Sequence, residues 1–169
     1  MDYEFPKLLK ELHKIEIDYA DGEGIDFEPF DSFYSEEETT EWIRAWTGNT
    51  DADGSSYLIF GQDGTGGYVA FWCVRETNDI LQQPIVFFGS EGELGIVAQS
   101  FYDYIWLFAK GLGPYEAVVY PDIILSTNKK FLEFAKNNAS SHQSSANEII
   151  GRAVAEFPDF TSTIESLCR

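Results

Sequence analysis

A glycine-rich turn that leads into a strand decides the fold of this chain: Gly61-Gln62-Asp63-Gly64-Thr65-Gly66-Gly67-Tyr68-Val69-Ala70-Phe71-Trp72. Four glycines and one aspartate lie within its first seven residues. Glycine adopts positive φ without steric cost and aspartate tolerates turns, so the chain reverses its direction here. The preceding run, Ser56-Tyr57-Leu58-Ile59-Phe60, is rich in aromatic and β-branched residues. Together the two runs predict a β-hairpin.

The same reasoning extends to the residues that follow the hairpin. We predict four strands, at residues 56–61, 67–74, 84–89 and 94–99. The second has two apolar faces, Tyr68/Ala70/Trp72 and Val69/Phe71/Cys73, so it should be a central strand covered on both sides. Because the connections are short, neighbouring strands should be antiparallel.

Helical patterns lie on both sides of these strands. A first helix follows Pro6, and a second begins at Ser35, where Ser35 and Glu38 match a capping box, and ends at Gly48. Three more helices are predicted: one from Ser100 to about Gly111, ended by glycine and Pro114, one capped by Asn128, and one that starts near Ser144 or Ser145 and is broken by Pro158. This order of elements predicts an α+β fold. A chain of 169 residues fits one domain, 1–169, and residues 56–111 are its best-supported core.

Cysteine usage and the N-terminus both point to the cytoplasm. Cys73 and Cys168 are the two cysteines and form no disulfide framework. The first residues are acidic and lack the apolar core of a signal peptide, and the apolar runs are too short to span a bilayer. We therefore expect a soluble cytoplasmic protein.

The chain carries a net charge of −18. Residues 1–41 hold 14 acidic and three basic side chains, and the remaining 128 residues hold 15 acidic and eight basic ones. Such a charge argues against direct binding of nucleic acid and against anionic membrane surfaces. It attracts a cationic partner, although plain solubility of an acidic protein explains the charge as well.

No catalytic or metal-binding pattern is present in the sequence. The glycine-rich turn lacks the lysine of a phosphate-binding loop, and Asp51-Ala52-Asp53-Gly54 departs from the spacing of a calcium loop. His13 and His142 have no partner at metal-ligand spacing and are expected at the surface. Cys73 is expected to be buried and unreactive. We predict no catalytic residues, no metal and no cofactor.

A partner-binding surface is predicted where aromatic residues lie among carboxylates. Loops on a rigid scaffold carry function, and aromatic residues anchor protein interfaces. An acidic, glycine-containing connector spans residues 18–28. Two structural explanations remain open: the aromatics pack this connector onto the sheet, or the glutamates complement a helix dipole. The predicted surface consists of Asp26, Glu28, Phe30, Asp31, Phe33, Tyr34, Glu36, Glu37, Glu38, Asp63 and Glu91.

Three segments in a fixed order resemble the SUKH superfamily, the Smi/Knr-like proteins. They are the hairpin from Tyr57 to Trp72, the run from Pro84 to Glu93, and the strand and helix from Leu94 to Ala109. The likeness is firm over residues 57–111 and general elsewhere. It implies a strongly curved antiparallel sheet of about four to six strands, flanked by N- and C-terminal helices.

The resemblance also implies a function. Many bacterial members of the superfamily are non-catalytic immunity proteins that bind and neutralise a toxin domain, commonly a nuclease or deaminase. Here the implied partner is a basic toxin, bound by a monomer or weak dimer. Two alternatives remain: an intracellular scaffold or regulatory binding protein of the Smi/Knr type, and a small-ligand hydrolase with an acid pair in the concavity of the sheet.

Overall fold

The computed structural model describes residues 3–19 and 24–169. Within them, seven α-helices and five β-strands follow one another along the chain, with a short 3-10 helix, Ile80–Gln82, before β4. Their order and bounds are α1 (Lys7–His13), β1 (Phe27–Pro29), α2 (Glu36–Thr47), β2 (Tyr57–Asp63), β3 (Tyr68–Trp72), β4 (Ile85–Phe88), β5 (Leu94–Ala98), α3 (Phe101–Ala109), α4 (Pro114–Val119), α5 (Lys129–Asn138), α6 (Ala146–Glu156) and α7 (Phe160–Leu167).

The strands form one antiparallel sheet in the order β1-β2-β3-β4-β5. The four predicted strands are β2 to β5, so the α+β fold is confirmed. The prediction missed β1, in which Phe27 pairs with Asp63 of β2. We had interpreted residues 18–28, which include the start of β1, as an acidic connector. Three residues ending in Pro29 are too few to show alternation, and proline suits an edge strand. Residues 20–23 of that connector lie outside the described part.

Two irregularities bend the sheet. The register of β2 against β3 shifts between Ile59 and Gly61, and that of β4 against β5 shifts between Ile85 and Val86. A bulge of this kind bends its strand and increases the local twist. The sheet is therefore curved, as expected.

The two faces of β3 each lie in a separate core, as its two apolar faces predict. We call first face the side of the sheet that carries Phe60, Phe71 and Phe87, and second face the side that carries Ala70 and Val86. Val69 also lies in the first-face core, and Cys73 packs against it. Tyr68 and Trp72 pack against the second-face core.

The helices divide between these two cores. α1, α3, α4 and α5 contribute buried residues to the first face, while α2 and α7 contribute to the second. α6 joins both, because Ile149 lies in the first core and Ala153, one turn later, lies in the second. Central β3 is thus covered on both sides.

Side-chain caps fix the predicted helix starts. At α2 the Ser35 hydroxyl accepts from the Glu38 amide, the Glu38 carboxylate accepts from the Ser35 amide at 2.8 Å, and Gly48 ends the helix at φ 64°. Asn128 and Ser145 cap α5 and α6. The sequence did not predict α4 or α7. α4 begins at Pro114, which we had interpreted as a stop, although proline is also favoured in the first turn of a helix.

Candidate partner-binding surface

Four half-buried aromatic residues meet where β1 ends. The rings of Phe30 and Tyr34 stack with centroids 5.2 Å apart and planes 10° from parallel. The Tyr34 hydroxyl lies 3.0 Å from the hydroxyl of Tyr68 on β3, and Trp42 of α2 meets the Tyr68 ring edge-on at 4.8 Å. We call Phe30, Tyr34, Trp42 and Tyr68 the aromatic edge.

The backbone holds the aromatic edge in place. The Phe30 amide donates to the Phe60 carbonyl at 3.1 Å, and the Tyr34 amide donates to the Ile59 carbonyl at 3.2 Å. Both ends of the connecting segment are thereby tied to β2. Tyr68 is the first residue of β3 and lies two positions before Ala70, so strand alternation directs it to the second face. The rings are therefore fixed by the sheet rather than by a free loop.

Glu28 lies beside the aromatic edge because of strand register. It pairs with Gln62, and Gln62 pairs with Tyr68, so the three residues are neighbours across β1, β2 and β3. Directly paired residues share a face of the sheet. Burial raises the pKa of Tyr68 to about 12, with further contributions from its hydrogen bond to Tyr34 and from the charges of Tyr34 and Glu28. The phenol therefore stays protonated at neutral pH.

A groove of about 750 Å³ runs along β1 and contains four of the predicted site residues. Its lining has two parts of opposite charge. The strand side carries Glu28 and Asp31, and the α1 side carries Lys10, His13 and Lys14; the aromatic lining is Phe30 and Tyr34. The sequence did not associate the α1 lysines with the predicted surface, because they lie about 20 residues away along the chain.

His13 is not the surface residue that we expected. It is half-buried, four residues after the buried Leu9, and Nδ1 lies 2.6 Å from the carbonyl oxygen of Phe30. A carbonyl only accepts, so Nδ1 donates and Nε2 carries the lone pair of the neutral ring. Nε2 is buried and has no hydrogen-bond partner among the described residues. Burial lowers the pKa of His13 more than the Phe30 hydrogen bond raises it. His142 is exposed, as expected.

Phe33 and Tyr34 point to opposite faces of the sheet. Phe33 packs against Phe5, with centroids 4.8 Å apart, and against Phe71 at 6.2 Å. It therefore belongs to the packing of the first face, which is the structural explanation that the sequence left open. Tyr34 packs against the second-face core.

The three glutamates at the start of α2 are exposed. Glu38 belongs to the capping box, and hydrogen bonds from the Ser35 amide and hydroxyl lower its pKa. Glu36 lines a second groove, of about 530 Å³, together with Phe33 and Tyr34. The predicted acidic segment thus adjoins the aromatic edge on its α2 side.

The other three predicted residues lie at the turn end of the sheet. Asp26 is exposed and its carbonyl accepts from the Gly64 amide at 3.0 Å; Glu91 is exposed on the turn between β4 and β5. Asp63 corrects our prediction, because it is 5% exposed and its carboxylate accepts from the Gly67 amide at 2.5 Å and the Thr65 hydroxyl at 2.7 Å. A turn aspartate folds back onto its own turn, so Asp63 stabilises the hairpin and lies outside the exposed surface.

Most tryptophan side chains lie at the border of the core. Trp106 alone is buried, and Trp42, Trp46 and Trp72 are half-buried. The Trp46 indole donates to the Gly89 carbonyl at 2.8 Å. The sequence could have indicated this partial burial, because the polar atoms of Tyr and Trp favour the border between core and water.

Burial shifts the pKa values of two further groups. Burial raises the pKa of Glu116, with smaller contributions from the charges of Asp63 and Asp26, and its carboxylate accepts from the Gly113 amide at 3.1 Å at the start of α4. Burial also raises the pKa of the Cys73 thiol to about 11, although Cys73 is half-buried rather than buried. Among residues 3–19 and 24–169, no group of three or more His, Cys, Asp or Glu side chains is arranged to hold a metal ion.

None of the helices in the described ranges is both long and apolar enough to cross a membrane. Searches against family models, curated proteins and solved structures find no match to this chain.

Proposed function

We propose that this chain is a non-catalytic cytoplasmic immunity protein that binds and neutralises a basic toxin domain of the nuclease or deaminase type. The observation that carries the proposal is the aromatic edge: four half-buried rings bordered by exposed carboxylates, in a chain of net charge −18.

Rigid, partly exposed Tyr and Trp side chains favour protein recognition. Interfaces are enriched in aromatic residues, and a few such anchors carry most of the binding free energy. Tyr34 and Tyr68 restrain each other through their hydroxyl contact, and Trp42 is packed against Tyr68. Little side-chain freedom therefore remains to be lost when a partner covers these rings.

The exposed acids around the aromatic edge define the charge of the partner. Glu28 and Asp31 lie on its groove side, and Glu36, Glu37 and Glu38 lie on its α2 side. A nuclease toxin holds phosphates with lysines and arginines. Complementary charge steers such a partner to this surface and raises the association rate.

The toxin enters the proposal through the SUKH resemblance of residues 57–111. One fold serves many functions, so the resemblance supplies the class of partner and the surface supplies the argument for binding. In the proposed mechanism, the acidic surface occupies the basic substrate-binding cleft of the toxin and excludes its substrate. No chemical step on this chain is required.

The direct test is protection of cells. The chain is co-expressed with each toxin domain encoded by adjacent genes, and colony survival is scored beside a Tyr34→Ala/Tyr68→Ala double variant with verified folding. We expect the parent chain to protect against one of these toxins, the double variant to protect less, and the purified complex to weaken as salt rises. Failure of the folded parent chain to bind or inhibit any of them would overturn the proposal and leave a regulatory partner as the alternative.

A further inference from the structure

No cation stacks on the rings of the aromatic edge within the described residues, although Lys10 and Lys14 line the same groove as Phe30 and Tyr34. In the described part of the chain, a cation–π contact is found elsewhere: the Arg75 guanidinium lies 5.4 Å from the centroid of the Phe157 ring. Arg75 is also tied to the Glu156 carboxylate at 2.5 Å. This pair shows, elsewhere in the same molecule, the combination of guanidinium, aromatic ring and carboxylate. At the aromatic edge the rings and the carboxylate are present without the guanidinium.

The geometry of the rings suits a flat cation. Phe30 and Tyr34 are almost parallel, while the Tyr68 ring is tilted 60° from Tyr34. Ring faces carry the negative part of the aromatic quadrupole and attract cations. Glu28 adds one full negative charge next to Tyr68, at a place that the β1–β2 pairing fixes.

We propose that Glu28 and the aromatic edge form a receptor for one arginine side chain of the basic partner. The identity of the partner rests on the proposed function, but the receptor itself rests on these residues. The guanidinium stacks against these half-buried rings and donates to the Glu28 carboxylate. The Gln62 side-chain oxygen is a further acceptor between Glu28 and Tyr68.

Arginine fits this site better than lysine. Its guanidinium is planar, weakly hydrated and able to donate two parallel hydrogen bonds to one carboxylate. The lysine ammonium is compact and strongly hydrated, so it loses more hydration when it packs against aromatic rings. The receptor therefore distinguishes two side chains of equal charge.

The lysines of α1 limit where the cation binds. Lys10 and Lys14 lie on the α1 side of the groove, and α1 packs on the first face, whereas Tyr34 and Tyr68 pack on the second. Like-charge repulsion disfavours a guanidinium on the α1 side. It therefore binds on the side of Glu28 and the tyrosines.

An NMR titration with three short peptides tests the receptor. The probes are acetyl-Gly-Arg-Gly-amide, the same peptide with lysine, and the same peptide with citrulline, which is shaped like arginine but uncharged. We expect the arginine peptide to shift the Trp42 indole and Tyr68 amide signals, to bind about fivefold or more tightly than the lysine peptide, and the citrulline peptide to cause no shift.

Two single-charge variants provide the matched comparison. Glu28→Gln should weaken binding of the arginine peptide by about fivefold or more. Glu76→Gln removes the same charge from an exposed position beyond the other end of β3 and should leave binding unchanged. Tyr68→Leu, checked for folding by its amide spectrum, should abolish the Trp42 shift.

Three outcomes would overturn the receptor: equal binding of the arginine and citrulline peptides, shifts confined to other parts of the molecule, or equal effects of Glu28→Gln and Glu76→Gln. If the chain protects against a toxin but the arginine peptide fails to bind, the receptor is wrong and the proposed function stands. If the peptide binds as described but no toxin is neutralised, the receptor stands and the proposed function is wrong.

Discussion

The two faces of the sheet differ in the aromatic residues that the strands contribute: phenylalanines alone on the first face, and tyrosines and a tryptophan beside the buried Phe88 on the second. On the first face the strands contribute Phe60, Phe71 and Phe87, each with 0% exposure. On the second face β3 contributes Tyr68 and Trp72, which remain half-buried. Phenylalanine has no polar atom to satisfy, whereas the Tyr hydroxyl and Trp indole need a partner or water. The first face is therefore built as a closed core, and the second keeps an open border.

This difference between the two faces matters because the predicted partner-binding residues lie on both of them. Phe33 lies on the closed side and Tyr34 on the open side, although they are adjacent in the chain. We expect the sheet to separate residues that hold the fold together from residues available to a partner.

The largest effect on stability should come from removing a buried ring from the first-face core. Phe87→Ala removes a fully buried ring from the first-face core, and we expect it to lower the free energy of unfolding by about 3–5 kcal/mol. Tyr68→Ala, on the open border, should cost clearly less. Urea unfolding followed by circular dichroism measures both. Equal losses would mean that the second face is as closed as the first.

Phe33 and Tyr34 should separate stability from binding. Tyr34→Ala is expected to lower the affinity for the proposed toxin partner by roughly 2 kcal/mol or more, mainly through faster dissociation. Phe33→Ala should mainly destabilise the fold, because Phe33 packs against Phe5 and Phe71. Each variant is measured by urea unfolding and by surface plasmon resonance. A reversed pattern would contradict the assignment of the two residues to different faces.

His13 should make stability pH-dependent in a defined window. Its pKa is lowered in the folded state, so the unfolded chain binds more protons near the ordinary histidine pKa of about 6.5. The free energy of unfolding is therefore highest above that pH, and it decreases as the pH falls through it towards the folded-state pKa of His13. We expect the melting temperature to fall on acidification from neutral pH, and to fall less in His13→Gln, which lacks the titration. Identical pH profiles would show that His13 does not contribute.

The three glutamates at the start of α2 should have the smallest effect per residue, and that effect should be on the association rate. Replacing Glu36, Glu37 and Glu38 with Gln should slow association and reduce its salt dependence, at well under 1 kcal/mol for each exposed acid. Glutamine at position 38 still fits a capping box, so the fold should be retained. The matched control is Glu76→Gln/Asp159→Asn/Glu165→Gln, which removes the same charge from exposed positions elsewhere. Equal on-rates for the two triple variants would remove this segment from the interface.

Sequence patterns predicted the parts of the fold that depend on local chemistry. The Ser35–Glu38 box, the Gly48 stop and the two faces of β3 were all readable, because caps and strand alternation follow from neighbouring residues. β1 was not, because an edge strand of three residues exists only through its pairing with β2.

The candidate site was predictable only in part, for a similar reason. Segment 28–34 was identified from its mixture of acids and aromatics, but Trp42, Tyr68 and the α1 lysines join it through tertiary packing. Asp63 and Phe33 were placed in the predicted surface because of charge and aromatic character, which do not reveal which way a side chain turns. His13 showed the same limit: its neighbours are charged, yet its ring is held against Phe30.

Hydrogen–deuterium exchange of the chain with and without the proposed toxin partner tests the central claim most directly. That claim is that the partner covers the open border of the second face around β1 and the start of α2. We predict slower exchange on binding in residues 28–38 and 66–68, with the buried strand β4 and helix α5 unchanged. Protection confined to α5 and α6, with the 28–38 segment unaffected in a fully formed complex, would contradict it.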